Sequence, residues 1–276
     1  MAHDTLNMDL AVAARARAIA AAGGVEAALA SGTLSNRFDT TLSEAVVLGL
    51  LKQGVRKFLA VFGHGSTDLA EILRIYDAAG ATRTFAFHNE VEMAHAATML
   101  SWQYGEIPAV VTSIGPGALQ AMAGSLAAAS NGVGVWHIYG DETTHGEGYN
   151  MQAIPKPEQG LYGRMTAAMG ESYVLHTPEA VRAAMRRGAL RTRHPYKAGP
   201  FYLMLPINRQ PARIAGFNPA ALPGPYRPAP AMVADPAALA EAVSLLRRHH
   251  RIAIKAGGGA RRAAAAVRRL AEAIGA

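Results

Sequence analysis

Cysteine is absent from all 276 residues. Its absence removes disulfides, thiolate catalysis, zinc fingers and iron–sulfur clusters together. No run of 18 or more apolar residues occurs, which excludes a membrane-spanning helix. The apolar stretch from Ala11 to Ala22 is interrupted by Arg15 and Arg17 and reads as a helix face, not a secretory leader. With neither span nor leader, the expected location is the cytoplasm. Charged residues are scarce, 17% against 50% apolar, a balance that rules out disorder and supplies a sizeable core. The Gly-x-Ser-x-Gly elbow is missing too, and neither Ser66 nor Ser113 has a nucleophile's context. The length fits one large domain, or one domain and a fragment.

The net charge of +7 is unevenly placed. From Arg247 onward there are eight basic residues and one acid, Glu272, whereas the first 246 residues carry 19 of each and are neutral. A phosphate-binding footprint would need aromatics or a motif beside the charge. The tail has neither, so nucleic acid is not an expected partner; the basic piece suits a docking surface for another protein.

Residues 9–30 are alanine-rich and helix-prone, broken at Gly23-Gly24, and Ser35 to Thr40 is polar linker. Thr41-Leu42-Ser43-Glu44 has the form of a capping box opening a helix through Leu51. Beyond it, short apolar strands at 58–62, 82–87, 109–113 and 133–139 alternate with helices at 67–79, 91–103 and 118–130. This alternation predicts an α/β fold, a parallel sheet with helices on both faces. In such sheets ligands bind at the carboxyl ends of strands, so the turns after these four strands belong on one edge. A loop-like stretch follows at 142–165, of a length that usually carries function. A helix at 178–191 and a strand at 201–205 close the domain. Seven of the chain's 15 prolines fall between Pro211 and Pro236, the composition of an extended linker. A helix (236–249), a strand (251–255), Gly257-Gly258-Gly259 and a helix (260–274) then read as the first half of a second α/β domain, too short to be stable alone. The expected division is a helical extension (1–40), a main domain (41–210), a linker (211–235) and a partial domain (236–276).

The turns carry the chemistry. Gly63-His64-Gly65 follows a strand, but a dinucleotide fingerprint needs glycine where Asp68 stands. It is either a tight turn or a turn that aims His64 at a ligand. His88-x-Glu90 matches the first half of a zinc deaminase signature whose second half needs cysteines, so that reading fails. The histidines at 88, 95, 137 and 145 fit no zinc spacing. Glu90 stands at the end of an apolar strand and the start of a helix. It can serve as a helix-start charge, or as a carboxylate aimed at a ligand nitrogen whose burial lets it carry a proton. Gly115-Pro116-Gly117 makes a rigid turn with room for close backbone approach.

In combination, Phe62-Gly63-His64-Gly65, Asn89-Glu90, the run Thr112 to Ala118 and Gly140-Asp141 resemble the pyrimidine-binding domain of thiamine-diphosphate enzymes, over about residues 41–210. Within the acetolactate synthase-like group, the resemblance is closest to the trihydroxycyclohexanedione hydrolases of inositol breakdown. It implies that Glu90 hydrogen-bonds N1′ of the cofactor aminopyrimidine and shuttles a proton there, with His64 as a second catalytic group. Gly115, Pro116, Gly117 and Gln120 would bind the cofactor, and His64 and Gln152 would face the substrate. Leu119 and Gln120 depart from the family's continuation of this turn, and Gly134 stands where proline is common. The family's Gly-Asp-Gly metal–diphosphate motif, with its downstream asparagine, is also missing: Gly140-Asp141 is followed by Glu142, and Asn150 is too close. The resemblance therefore implies a pyrimidine-binding subunit of a split enzyme. Thiamine diphosphate would be shared with a second subunit carrying the diphosphate-binding domain and its Mg2+, in a homodimer or heterotetramer. The reaction would make or cleave a carbon–carbon bond beside a carbonyl, on a small 2-oxo or diketone substrate. The alternative is a non-catalytic homologue acting as a binding or scaffold subunit.

Overall fold

The computed structural model of the chain describes residues 2–145, 160–225 and 233–276, in two units, 1–227 and 228–276. In the first unit, helices α1 (Ala2–Ala22) and α2 (Val25–Ala30) precede β1 (Phe38–Thr41) and α3 (Leu42–Lys52). Next come β2 (Lys57–Val61), α4 (Thr67–Ala78), β3 (Arg83–Ala86), α5 (Glu90–Tyr104) and β4 (Ala109–Thr112). These lead to α6 (Pro116–Gly124), α7 (Leu126–Asn131), β5 (Val135–Asp141), α8 (Leu161–Ala167) and β6 (Glu171–Val174). The unit ends with α9 (Val181–Thr192), β7 (Pro200–Pro206) and β8 (Arg213–Phe217).

Six strands form one sheet in the order β3-β2-β4-β5-β7-β6, and every neighbouring pair is parallel. The α/β fold class read from the alternation of strands and helices is the one observed. The central strands read as unbroken apolar runs because both faces are covered. One face packs Phe58, Ala60, Val111, Trp136, Ile138 and Leu203 against α1, α3, α4 and α9. The other packs Leu59, Val110, Tyr139, Tyr202 and Met204 against α5, α6, α7 and α8. Helix α4, leaving β2, therefore covers one face, while α6, leaving β4, covers the other. Since β2 and β4 are neighbours, their carboxyl ends flank the switch point, the place where such sheets have their ligand-binding crevice.

Three local features differ from the sequence expectation. The segment 35–40 is not wholly linker, and the Pro-rich segment starts with a strand: β1 and β8 pair antiparallel, with Phe38 against Phe217 and Thr41 against Arg213. Strand β6, inside a stretch without a clear apolar pattern, pairs on the outer side of β7. Thr41 caps α3 through its hydroxyl, which accepts from the Glu44 N–H at 3.3 Å. The reciprocal half of a capping box does not form, because the Glu44 carboxylate turns inward to Arg15, Thr40 and Tyr76.

The second unit contains α10 (Pro236–Arg247), a 3-10 turn (Gly258–Ala263) and α11 (Ala264–Ile274). The strand expected at 251–255 does not form; no other strand exists among the described residues of this unit to pair with it. None of its described residues is buried, and Leu239, Leu245 and Leu270 stay about half exposed. A chain of this length cannot close a core of its own.

Candidate functional site

Asn89 sets the position of Glu90. Its side-chain oxygen accepts from the N–H groups of Val91 at 2.9 Å and Glu92 at 3.1 Å, satisfying two orphan donors of α5. Glu90 is thereby fixed as the first helical residue at the carboxyl edge of the sheet. It is half-buried, so the enclosed carboxylate anticipated from the sequence is here open on one side.

The turn after β4 approaches it from the next strand. Gly115 has φ +70°, a conformation open to glycine at little cost, and Pro116 starts α6. Gly117 then lies beside both Glu90 and Thr112. A methyl group on it would sit 2.5 Å from Thr112 Oγ1 and 3.1 Å from Glu90 Oε1. Gly124, two turns on, lets α6 press against α5, where a Cβ would meet the Val91 carbonyl at 2.6 Å. Two glycines on one helix face thus bring the β4 turn onto the carboxylate. Thr112 Oγ1 is buried and has no hydrogen-bond partner.

The Gly63-His64-Gly65 turn packs against the end of the same strand. Gly65 N–H donates to Ser113 Oγ at 3.0 Å, and its carbonyl accepts from Gln210 Nε2 at 2.6 Å. Gly140 has no side chain because Gly65 O occupies the space a Cβ would need. Residues from β2, β4, β5 and the end of β7 are therefore locked around one glycine, and His64 projects from this clamp as an exposed side chain.

The sequence-predicted residues do not all converge. Gly117, in the turn with Gly115 and Pro116, lies against Glu90, and the turn that carries His64 meets the end of β4 at Ser113. Gln120 lies one turn further along α6 and is exposed. Gln152 falls outside the described residues. Gln210, missed in the sequence, is buried and bonds the Gly65 and Leu205 carbonyls. A glutamine after a strand carries no local signal for this role.

Further along the same edge, Asp141 ends β5, and only 2% of it is exposed. Burial, with Glu142 as a neighbouring like charge, pushes its carboxyl up to about 7. Behind it, Tyr139 OH and His137 Nδ1 share a hydrogen bond at 2.9 Å. Burial holds His137 down at about 3, so it is neutral at ordinary pH.

Among the described residues, no group of three His, Asp or Glu side chains could hold a metal ion, and no helix is long and apolar enough to cross a membrane. The donor set, one carboxylate and one unpartnered hydroxyl brought close together at a glycine, is of the kind that suits the uncharged ring of a cofactor. No curated protein matches the chain. Residues 40–169, which contain Glu90, the Gly63–Gly65 clamp and the Gly115–Gly117 turn, match the family described as thiamine pyrophosphate enzyme, N-terminal TPP binding domain.

Proposed function

We propose that the chain is the pyrimidine-binding subunit of a split thiamine-diphosphate enzyme that makes or cleaves a carbon–carbon bond next to a carbonyl. The observation that supports this reading is the close approach of Glu90 Oε1 and Thr112 Oγ1 to Gly117, at 3.1 Å and 2.5 Å from where its Cβ would stand. Gly117 lets the backbone of the β4 turn pass directly beside the carboxylate and the unpartnered hydroxyl, where any side chain would clash with them.

Glu90 would hold the aminopyrimidine at its ring nitrogen, keeping a proton on Oε1 or passing it across that hydrogen bond. Its fixed position at the head of α5 makes this transfer one of positioning as well as acidity. The clamp on Gly65 would hold His64 at the mouth of the crevice, facing the substrate. When bound, the cofactor supplies the stabilised carbanion chemistry, and the protein supplies orientation and polarity. The acetolactate synthase-like grouping, and within it the cyclic-diketone hydrolases, belongs to this proposal on the strength of the sequence motifs.

The Mg2+ and diphosphate need a donor set that these residues lack. We assign it to a second subunit, in a homodimer or heterotetramer, and place the complex in the cytoplasm. The test is to isolate the tagged chain from its host with whatever it retains, and to titrate the product with thiamine diphosphate and Mg2+. A stoichiometric partner carrying Gly-Asp-Gly, with cofactor binding abolished by Glu90→Gln, is the expected outcome. A chain recovered alone that gives no heat with the cofactor would replace this reading with a non-catalytic scaffold subunit.

A further inference from the structure

Helices α6 and α7 reach the surface without a charged side chain. Between Glu106 and Asp141 the chain has no Asp, Glu, Lys or Arg. Ser125 joins the two helices with helical dihedrals; its N–H donates to the Ala121 carbonyl, and its carbonyl accepts from Ala129 N–H. Helical spacing therefore carries on through the junction. Leu119, Ala123 and Leu126 stand at i, i+4 and i+7 on one outer seam, and all three are exposed. Leu126 is 55% exposed and Leu119 37%. Met99 on the adjoining α5 is 51% exposed. The flanking helices carry exposed Glu92 and His95 on α5 and Arg164 on α8. An apolar seam inside a polar rim is the anatomy of a protein interface.

Other exposed apolar side chains of this unit stand among charges. Leu190 on α9 shares its helix face with Arg186 and Arg187, three and four residues before it. Phe62 lies in a groove with Glu71 and Arg74. We propose that the α6–α7 seam is the contact between two copies of this chain, packed antiparallel about a twofold axis beside Ala123. The inference goes beyond the cofactor reading and does not rest on it.

The occupant follows from charge. A surface that meets its own copy meets its own charges, and around a twofold axis these are like pairs. The α6–α7 seam brings none, so closing it buries no charge and sets up no repulsion. The Leu190 face would oppose arginine to arginine. A partner steered by charge, in turn, has nothing on the seam to recognise. The spacing also suits self-pairing. Leu119 and Leu126 lie on either side of the axis, so Leu119 of each copy packs on Leu126 of the other. Ala123 between them is small, which lets the two helices come within about 8 Å of each other.

The test is analytical ultracentrifugation of the full-length chain over a wide range of concentration, with a cross-link as a second measurement. The chain should sediment as a dimer. Leu119→Glu and Leu126→Glu should each raise the dimer dissociation constant about tenfold or more, while Leu190→Glu should leave it unchanged. Because the chain has no cysteine, Ala123→Cys introduces a single thiol. Two such thiols oxidised by diamide should form one disulfide between copies, which requires their Cα atoms to lie within about 7 Å. Leu190→Cys, treated alike, should stay unlinked. A chain that is monomeric at every concentration overturns the proposal, as does a dimer that Leu126→Glu leaves intact. A dimer that Leu126→Glu dissociates but that Ala123→Cys does not link overturns the antiparallel arrangement about Ala123.

Discussion

Arg15 on α1 grips Glu44 on α3 with two parallel hydrogen bonds, Nε to Oε1 at 2.8 Å and Nη2 to Oε2 at 2.6 Å. Glu44 has no exposed surface, and its carboxylate also accepts from Tyr76 OH at 2.9 Å and from the Thr40 hydroxyl. The N-terminal helix is thus bound to the main domain through a buried charge, beside the apolar contacts of Val12, Ala16 and Ile19. Removing one partner of such a pair leaves the other buried and uncompensated, at about 3–5 kcal/mol. Arg15→Ala should lower the unfolding free energy in urea by that amount. A loss below about 1 kcal/mol, the range of exposed pairs, would show that the Glu44 charge is satisfied by Tyr76 and Thr40 alone.

Gly117→Ala and Gly140→Ala separate function from folding. At Gly117 the new methyl meets two side-chain oxygens, which can rotate away at about 1–3 kcal/mol, but Glu90 then leaves its place. At Gly140 it meets the Gly65 carbonyl, a backbone group fixed by Ser113 and Gln210. Gly117→Ala should therefore keep a cooperative melt and lose pyrimidine binding. Gly140→Ala should lower the melting temperature markedly. Calorimetric melts and a pyrimidine titration of both variants check the contrast; equal melts would refute it.

Asp141 gives the fold a pH dependence with a defined sign. Its carboxyl is raised from 3.8 to about 7 in the folded chain. Between these values the folded state holds a proton that the unfolded state has released. Its contribution is fully present below about 4 and is lost as pH rises through about 7. Asp141→Asn should be the more stable protein at pH 8, by a margin of a few kcal/mol that closes toward pH 4. Urea unfolding at pH 4, 6 and 8 reads this margin, and a margin independent of pH would place the carboxyl in contact with water.

His137 works in the opposite direction. Its imidazole falls from 6.5 to about 3 on folding because the protonated ring would lie buried between Tyr139 and Tyr202. The unfolded state takes up the proton first, so stability is complete above 6.5 and declines as pH falls toward 3, by up to about 1.4 kcal/mol per pH unit. His137→Phe should flatten this acid limb, at the cost of the hydrogen bond to Tyr139. Unfolding free energies of both proteins between pH 4 and 7 test it; parallel slopes would assign the acid limb to other groups.

Much of the sheet could be read in the sequence because its signals are local. Short apolar strands such as Ala109–Thr112, closed by glycine turns, carry their pattern within a dozen residues. Buried on both faces, they tolerate few polar residues. The same holds for Asn89-Glu90 and Gly115-Pro116-Gly117, where side-chain capping and proline geometry act between neighbours. The pairing of β1 with β8 joins segments some 170 residues apart, for which no local pattern exists. The strand expected at 251–255 failed for the converse reason: its sequence has a strand's pattern, but no described strand of that unit lies beside it.

The sequence by itself determined the alternation of elements and the sheet edge on which the glycine-bearing turns meet, since both follow from residue type and short-range spacing. The tertiary structure alone decided that Gly65 is clamped by Ser113, Gln210 and Gly140, that Glu44 is tied to Arg15 rather than to its own helix end, and that Asp141 is shielded from water at the end of β5. These depend on which distant groups exclude solvent from one another, and desolvation is a property of the folded surroundings rather than of a residue's neighbours in the chain.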